Sequence, residues 1–247
     1  MCGRYVLKSK ADVVEESFEL SLGAELKAAL GPRYNIGPGQ GIMAVWDDRD
    51  AGRRMADYLV WGLIPNWVKD PNEMRPYTNA RSETLGEKAS FRDSARYRRC
   101  IVPANGFYEW KRRGNERKPY YFQVDGGELI ALAGIWSHWA SPDGSEIMSV
   151  ALITTQANTV MEAIHDRLPV IINRSDIDRW LDPMETRVEA VKELMQPIGA
   201  DRMSCYPVGK AVNSGRAEGS ELMERIEVVK ESDRIEMDFM DQLFGED

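Results

Sequence analysis

Most apolar residues of this chain fall in short runs rich in β-branched and aromatic side chains, separated by glycine and proline, and such runs predict β-strands. The predicted strands cover residues 42–46, 58–61, 100–102, 120–124, 129–136, 147–155 and 208–212. Helical patterns are few and do not alternate regularly with these strands, which argues against a doubly wound parallel sheet. We therefore expect an α+β fold with peripheral helices.

Two local patterns refine this picture. Ser9 followed by Asp12 has the spacing of a capping box and predicts a helix over residues 9–20, with Val14 and Phe18 on its buried face. Residues 31–41 are rich in glycine and proline, and we expect turns there.

The composition excludes several classes of protein. No run of the 247 residues approaches the 18 apolar residues of a membrane span, and the N-terminus lacks an apolar export signal. The three cysteines, Cys2, Cys100 and Cys205, are too few for a disulfide framework and fit a reducing cytoplasm. The two histidines, His138 and His165, show no metal-ligand spacing. We expect a cytoplasmic protein with no metal, no cofactor and no membrane partner.

The charge of the chain is unevenly distributed. Residues 218–247 contain eleven acidic and three basic residues, which accounts for the whole net charge of −8. Residues 71–118 contain twelve basic and six acidic residues, enough for a local surface that binds a phosphate backbone, although a solvated charged face is the alternative. We expect one domain over residues 2–217 and an acidic tail over 218–247, helical or disordered, that is available to a protein partner.

Cys2 offers a specific chemistry if Met1 is removed. An N-terminal cysteine carries an amine and a thiol on adjacent carbons, with ordinary pKa values of about 7.8 and about 8.5. The amine forms a Schiff base with an aldehyde, and the thiol then closes a five-membered thiazolidine ring. An internal cysteine has no free amine and cannot do this. The alternative is that Cys2 is a small residue with no chemical role.

Five separated motifs occur in one order along the chain. They are MCGR at the start, RYNIGPGQ over residues 33–40, NARSET over 79–84, VPANGFYEWK over 102–111 and HDRLPV over 165–170. Together they resemble the SOS-response-associated peptidase (SRAP) family over about residues 2–215. The resemblance implies a barrel-like core of mostly antiparallel sheets. It also implies a sensor and shield of abasic sites in single-stranded DNA that cross-links through its N-terminal cysteine.

The resemblance also implies roles for individual residues. Cys2 matches the nucleophile, Asn79 a polar group beside the opened sugar, Glu109 an acid and base, and His165 a second proton-transfer group. Positions that match DNA contacts are Arg4, Trp67, Arg81, Trp110, Thr154 and Arg167. Lyase activity at the abasic site, self-removal of Met1, a monomeric state and association with the nucleoid are further expectations.

Each of these side chains has a structural alternative. Glu109 pairs with a nearby base, Asn79 shapes a turn, and the tryptophans belong to the core. Two alternative functions also remain: a cysteine peptidase using Cys2 and His165, or a module that binds intact single strands without covalent chemistry.

Overall fold

The computed structural model describes residues 2–114 and 116–227. Within these residues the strands, in chain order, are β1 (Arg4–Leu7), β2 (Arg33–Ile36), β3 (Gly41–Asp48), β4 (Arg53–Trp61), β5 (Asn79–Arg81), β6 (Arg99–Ala104), β7 (Gly106–Arg113), β8 (Glu116–Val124), β9 (Ile130–Ala140), β10 (Glu146–Gln156), β11 (Arg167–Pro169), β12 (Ile171–Ile172) and β13 (Met203–Pro207). The helices are α1 (Ala11–Phe18), α2 (Ala24–Ala29), α3 (Arg92–Tyr97), α4 (Thr159–Glu162) and α5 (Ile177–Leu181), and the longest 3₁₀ segment is Val188–Met195.

Five strands close into a barrel. The pairs β4–β3, β3–β6, β6–β9 and β9–β10 are antiparallel, and the parallel pair β10–β4 completes the ring. Inward-facing residues such as Ile42, Leu132 and Leu152 are fully buried. The helices pack outside this barrel, which confirms the predicted α+β fold with a barrel-like core of mostly antiparallel strands.

A second sheet, with strand order β13-β8-β7-β1-β2, packs against the barrel. Phe107 and Phe122 of this sheet stack with ring centroids 5.2 Å apart and belong to the same apolar cluster as the barrel interior. Tyr5 of β1 contacts Trp61 at the end of β4, with ring centroids 5.6 Å apart. The start of the chain therefore lies at the barrel end where β3 begins and β4 finishes.

Two local predictions at the N-terminal part of the chain were wrong in detail. The first helix is Ala11–Phe18, with Val14 and Phe18 buried as predicted, but its N-cap Lys10 makes no capping hydrogen bond. The Ser9 hydroxyl instead donates to Asn105 Oδ1 at 3.1 Å, a long-range contact that replaces the capping box. Residues 31–41 contain the strand β2, because Ile36 pairs with Tyr5 of β1.

The last predicted strand, over residues 208–212, was also wrong. The strand is β13 (Met203–Pro207), which pairs with β8 from Met203 opposite Val124 to Pro207 opposite Tyr120. A 3₁₀ turn, Lys210–Asn213, follows it. The apolar run at 208–212 is buried without being extended, because Val208 and Val212 pack against the outer face of the second sheet.

Part of the expected tail packs onto the body. Leu222 is 3% exposed, and Val208 pairs with Arg225 in an isolated β-bridge. The carboxylate of Glu218 accepts a hydrogen bond from the Tyr34 backbone N–H. Residues 228–247, the rest of the tail prediction, lie outside the described residues.

Two features are absent from residues 2–114 and 116–227. No helix there is long and apolar enough to cross a membrane. No group of three or more His, Cys, Asp or Glu side chains in those ranges converges to hold a metal ion.

Candidate active site

Backbone pairing places Cys2 in the interior. It lies two residues before the start of β1, which lies between β7 and β2 with Arg4 opposite Tyr108. Cys2 has no exposed surface. The Asn79 side chain donates from Nδ2 to the Cys2 carbonyl oxygen at 3.1 Å. Since β5 is held in parallel register against the barrel strand β10, the amide that fixes Cys2 is attached to the barrel.

The environment of Cys2 keeps its thiol protonated. Burial and, second to it, the nearby charge of Glu109 raise the pKa of the Cys2 thiol to about 12. Both effects disfavour the thiolate, the first by removing water and the second by repulsion. The Glu109 carboxylate is therefore close enough to Cys2 to influence its ionisation.

Glu109 is fixed from the middle of β7. Its side chain is 3% exposed, and Oε2 accepts a hydrogen bond from the Trp110 backbone N–H at 3.2 Å. Trp110 is also buried, and its indole N–H donates to Asn213 Oδ1 at 2.6 Å. A glutamate that is almost fully buried is uncommon, and such burial is typical of residues that take part in a reaction.

His165 lies between α4 and β11. Its Nδ1 accepts a hydrogen bond from the Arg167 backbone N–H at 2.9 Å. The same Nδ1 is 2.9 Å from Asp166 Oδ1, a contact that would require a proton on Nδ1. These two contacts exclude each other, and the backbone contact is the better defined, since the Asp166 side chain is 85% exposed. The neutral ring consequently carries its proton on Nε2.

These elements border one open pocket of about 420 Å³. Its lining residues are Gly3, Arg4, Pro38, Glu109, Trp110, Arg112, Arg117, His165 and Asn213. The pocket combines a carboxylate and an imidazole, which can move protons, with three guanidinium groups, which attract anions. This set suits a negatively charged substrate whose reaction requires proton transfer near Cys2.

Arg4 is held in place at the pocket by two neighbouring segments. Its Nη1 donates to Asn35 Oδ1 at 3.1 Å, and Asn35 is in turn tied through Nδ2 to the Ser214 carbonyl. A Cβ added at Gly37 would lie 3.0 Å from Arg4 Nε, and one at Gly215 would lie 3.1 Å from Nη2. The two glycines therefore leave room for the guanidinium.

The structure thus brings together six of the predicted residues, which are Cys2, Arg4, Asn79, Glu109, Trp110 and His165. Pro38 borders the pocket as expected of a loop near the site. Sequence reasoning missed Arg112, Arg117 and Asn213 as site residues. Both arginines were counted within the basic segment 71–118, but no local pattern distinguished them from its other bases.

The remaining predicted DNA-contacting residues lie outside this lining. Trp67 is 59% exposed, on the loop between β4 and β5, and Arg81 is exposed at the end of β5. Thr154 is fully buried. Arg167 is also buried and forms a bidentate ion pair with Glu83, with Nη1–Oε1 at 2.6 Å and Nη2–Oε2 at 2.9 Å. Glu83 is therefore occupied by Arg167, and DNA contact by Trp67, Arg81, Thr154 and Arg167 stays a prediction.

Comparison with known families identifies the chain. The model of the family described as SOS response associated peptidase (SRAP) matches residues 1–215. The Bacillus subtilis protein named abasic site processing protein YoqW is 39% identical over 225 residues, covering 91% of this chain and 99% of that protein. The Xenopus tropicalis protein named abasic site processing protein HMCES is 34% identical over 202 residues, covering 72% of this chain and 60% of that protein.

Solved structures show the same fold. A phage-related protein from Bordetella bronchiseptica superposes with a TM-score of 0.68 at 28% identity, covering 84% of this chain and 94% of that one. A protein from Bacteroides thetaiotaomicron superposes with a TM-score of 0.79 at 24% identity, covering 92% of this chain and all of that one. The sequence motifs, the fold and these relatives agree, and the chain belongs to the SRAP family.

Proposed function

We propose that this protein processes abasic sites in single-stranded DNA by covalent capture. Removal of Met1 exposes Cys2 as the N-terminus, and Cys2 then forms a thiazolidine with the aldehyde of the opened sugar. The observation that carries the proposal is the position of Cys2, which is held by Asn79 and lies near the buried Glu109, a residue that lines a pocket together with three arginines. The names of the Bacillus and Xenopus relatives support the same substrate class.

The reaction balances without any cofactor. The Cys2 amine adds to the aldehyde carbon and gives a carbinolamine, which loses water to form a protonated Schiff base. The thiol sulfur then adds to the iminium carbon, the nitrogen becomes a neutral secondary amine, and the thiol proton returns to the group that protonated the departing hydroxyl. One aldehyde and one aminothiol thus give one thiazolidine and one water.

We assign the proton transfers of this reaction to Glu109 and His165. Glu109 is the buried group close to Cys2, so it is placed to protonate the departing hydroxyl of the carbinolamine. His165 presents an Nε2–H at the same pocket and assists in opening the sugar or reversing the adduct. Slow strand cleavage by β-elimination from the Schiff base would be the corresponding lyase activity.

DNA is held by charge and stacking. Arg4 and Arg81 are assigned to phosphates, and the exposed Trp67 to an unpaired base, since stacking on an aromatic ring contributes about 1–3 kcal/mol per base. DNA contact by Trp110, which lines the pocket, and by the buried Thr154 and Arg167 stays a prediction. A complementary strand would cover the stacking face, so a single strand is the expected substrate.

The main alternative is a thiol peptidase acting on other proteins. A peptidase nucleophile reacts as a thiolate, and catalytic cysteines reach this state through a lowered pKa. Burial and Glu109 instead raise the pKa of the Cys2 thiol. In aldehyde capture the amine attacks first, so a protonated thiol is compatible with that chemistry. Self-removal of Met1 would be a single-turnover event and is compatible with both.

The test is incubation with an oligonucleotide containing one abasic site, followed by a denaturing gel and intact mass measurement. We expect one DNA per protein, with the mass of the chain lacking Met1 plus the oligonucleotide minus one water. Glu109→Gln and His165→Ala, assayed singly, separate the two proton-transfer roles. No shifted band with the abasic strand would overturn the proposal.

Two variants test the aminothiol itself. Cys2→Ser should lose the stable adduct but keep a Schiff base that borohydride traps, since its amine remains. Insertion of alanine between Met1 and Cys2 should abolish the thiazolidine, because an internal Cys2 has no free amine beside its thiol. An intact oligonucleotide is the control for simple binding, and equal retention of intact and abasic strands would favour the non-covalent alternative.

A further inference from the structure

The distal half of the β7–β8 hairpin carries like charges opposite one another on both faces. Its register places Arg112 opposite Arg117, and Lys111 opposite Lys118. Successive residues of a strand point to opposite faces, so the arginine pair and the lysine pair lie on different sides. Like charges directly opposite across an antiparallel pair destabilise it. The hairpin retains two destabilising pairs of like charge, which indicates that these residues have a role other than stabilising the fold.

No carboxylate of residues 2–114 and 116–227 neutralises the arginine pair. Both side chains are exposed, and within residues 2–114 and 116–227 neither Arg112 nor Arg117 makes an ion pair or a side-chain hydrogen bond. On the other face Lys118 lies 3.7 Å from Glu116. The two pairs therefore differ in electrostatic environment although they are one residue apart in the chain.

Trp110 positions one of the arginines. The Arg117 guanidinium lies over the Trp110 ring, with Cζ 5.5 Å from the centroid. The orientation of this ring is fixed, because Trp110 is only 8% exposed and its indole N–H donates a hydrogen bond to Asn213 Oδ1. A guanidinium that stacks through its face keeps its N–H edge available for a bidentate partner.

The arginine pair faces the candidate active site. Arg112 and Arg117 line the same pocket as Arg4 and His165, whereas the lysine pair is not part of that lining. Glu109 is the carboxylate of the lining, and it is buried at 3% exposure. The open side of the pocket therefore presents positive charge toward whatever enters.

We propose that Arg112 and Arg117 form a phosphate clamp that holds the DNA strand next to the captured lesion. The ligand class is the phosphodiester backbone, which suits the planar guanidinium fork. The clamp positions the strand and takes no part in the covalent chemistry. The inference rests on the proposed function, since it takes DNA as the substrate.

The experiment measures non-covalent affinity in a chain that cannot cross-link. Cys2→Ala provides that background, and the probe is a single-stranded oligonucleotide with a tetrahydrofuran site, which has no aldehyde. Affinity is measured by fluorescence anisotropy between 50 and 200 mM salt. The test variant is Arg112→Gln with Arg117→Gln, and the matched control is Lys111→Gln with Lys118→Gln, which removes the same charge from the other face of the same hairpin.

Each phosphate contact contributes about −0.7 to the slope of log affinity against log salt for a single strand. Loss of two contacts should make the slope shallower by about 1.4, so the parent loses roughly sevenfold more affinity over this salt range than the arginine variant. The lysine control should keep the parental slope. Arg112→Lys with Arg117→Lys should retain most of the slope, because the charge remains, and Tm should not fall in any of the three.

An unchanged slope in the arginine variant, or an equal change in the lysine control, would overturn the clamp. This failure is distinct from failure of the proposed function, which is the absence of a covalent band when the unmodified chain meets an abasic strand. A covalent band together with an unchanged slope would leave the capture chemistry standing and eliminate the clamp.

Discussion

The side chain of Cys2 is tightly constrained. Its thiol is buried beside a carboxylate, and its carbonyl is held by Asn79. Both effects on the thiol favour the protonated form. In the proposed reaction this is useful, because a protonated thiol does not compete with the amine for the aldehyde or react with passing oxidants. The sulfur is needed only after the imine has formed beside it.

The ionisation of Cys2 predicts how it reacts with an alkylating agent. With the thiol pKa raised to about 12, the thiolate fraction should grow about tenfold per pH unit from pH 8 to pH 10. Iodoacetamide labelling, followed by peptide mass mapping of the chain that retains Met1, measures this rate. A free cysteine levels off near its ordinary pKa of about 8.5, so a plateau of the Cys2 rate by pH 9 would contradict the prediction.

Asn79 predicts a positioning effect that can be separated from stability. Asn79→Ala removes the hydrogen bond to the Cys2 carbonyl, so the cross-linking rate should fall about tenfold or more as the reacting geometry loosens. The cost in the free energy of unfolding should be about 1 kcal/mol. Rates come from gel time courses, and stability comes from urea unfolding. Asn72→Ala, at an exposed asparagine, is the control, and an equal rate for both variants would remove Asn79 from the site.

The strand β7 links the second sheet to the site, and its entry is tightly packed. Gly106 begins β7, where β8 passes so closely that an added Cβ would lie 2.5 Å from the Phe122 carbonyl oxygen and 2.3 Å from the Tyr121 hydroxyl oxygen. A backbone atom at that distance cannot swing away as a side chain can. The glycine of the VPANGFYEWK motif is therefore required by packing, and it sets the position of Glu109 three residues later.

Gly106→Ala should consequently destabilise the protein by roughly 3 kcal/mol or more, because the β7–β8 pair must separate to admit the methyl group. The change in the urea midpoint measures it. Gly31→Ala is the matched control, since nothing lies within 4 Å of a Cβ there, and it should be neutral or slightly stabilising. A Gly106→Ala chain as stable as this control would show that the close approach is relaxed at little cost.

Considered as one body, the molecule joins a closed barrel to an open sheet through a common apolar cluster. The candidate site lies where the two meet, so residues from β1, β5, β7 and the segment after α4 converge on it. The C-terminal segment completes the outer face of the open sheet, since Leu222 packs into the same apolar cluster as Tyr108 and Trp110. That contact connects the segment around Leu222 to the wall of the pocket.

Two truncations test where the folded unit ends. A chain ending at residue 227 should keep both its unfolding midpoint and its cross-linking, because it retains the Val208–Arg225 bridge and Leu222. A chain ending at 217 should be less stable by about 2–3 kcal/mol, because it leaves the site of a buried leucine empty. Urea unfolding measures both. Equal stability of the two would return the boundary to residue 217, as the charge pattern predicted.

The sequence by itself determined the class of fold and indicated the chemistry that we propose. A cysteine at position 2 becomes an aminothiol on loss of Met1 in any fold, and short β-branched runs form strands because their side chains suit a pleated surface. The helix around Val14 and Phe18 likewise followed from local periodicity. The predicted capping box at Ser9 was wrong, because the Ser9 hydroxyl donates a hydrogen bond to the distant Asn105. The local pattern contains no information about that partner.

Only the tertiary structure decided which residues meet. Cys2 and Asn79 are 77 positions apart, and their contact exists because β1 and β5 join different sheets that pack together. Strand register also decides three other features of the site. These are the burial that raises the Cys2 pKa, the ion pair between Arg167 and Glu83, and the position of Arg112 opposite Arg117. Register is set by the packing of whole sheets, a long-range balance of free energies that no local run of residues contains.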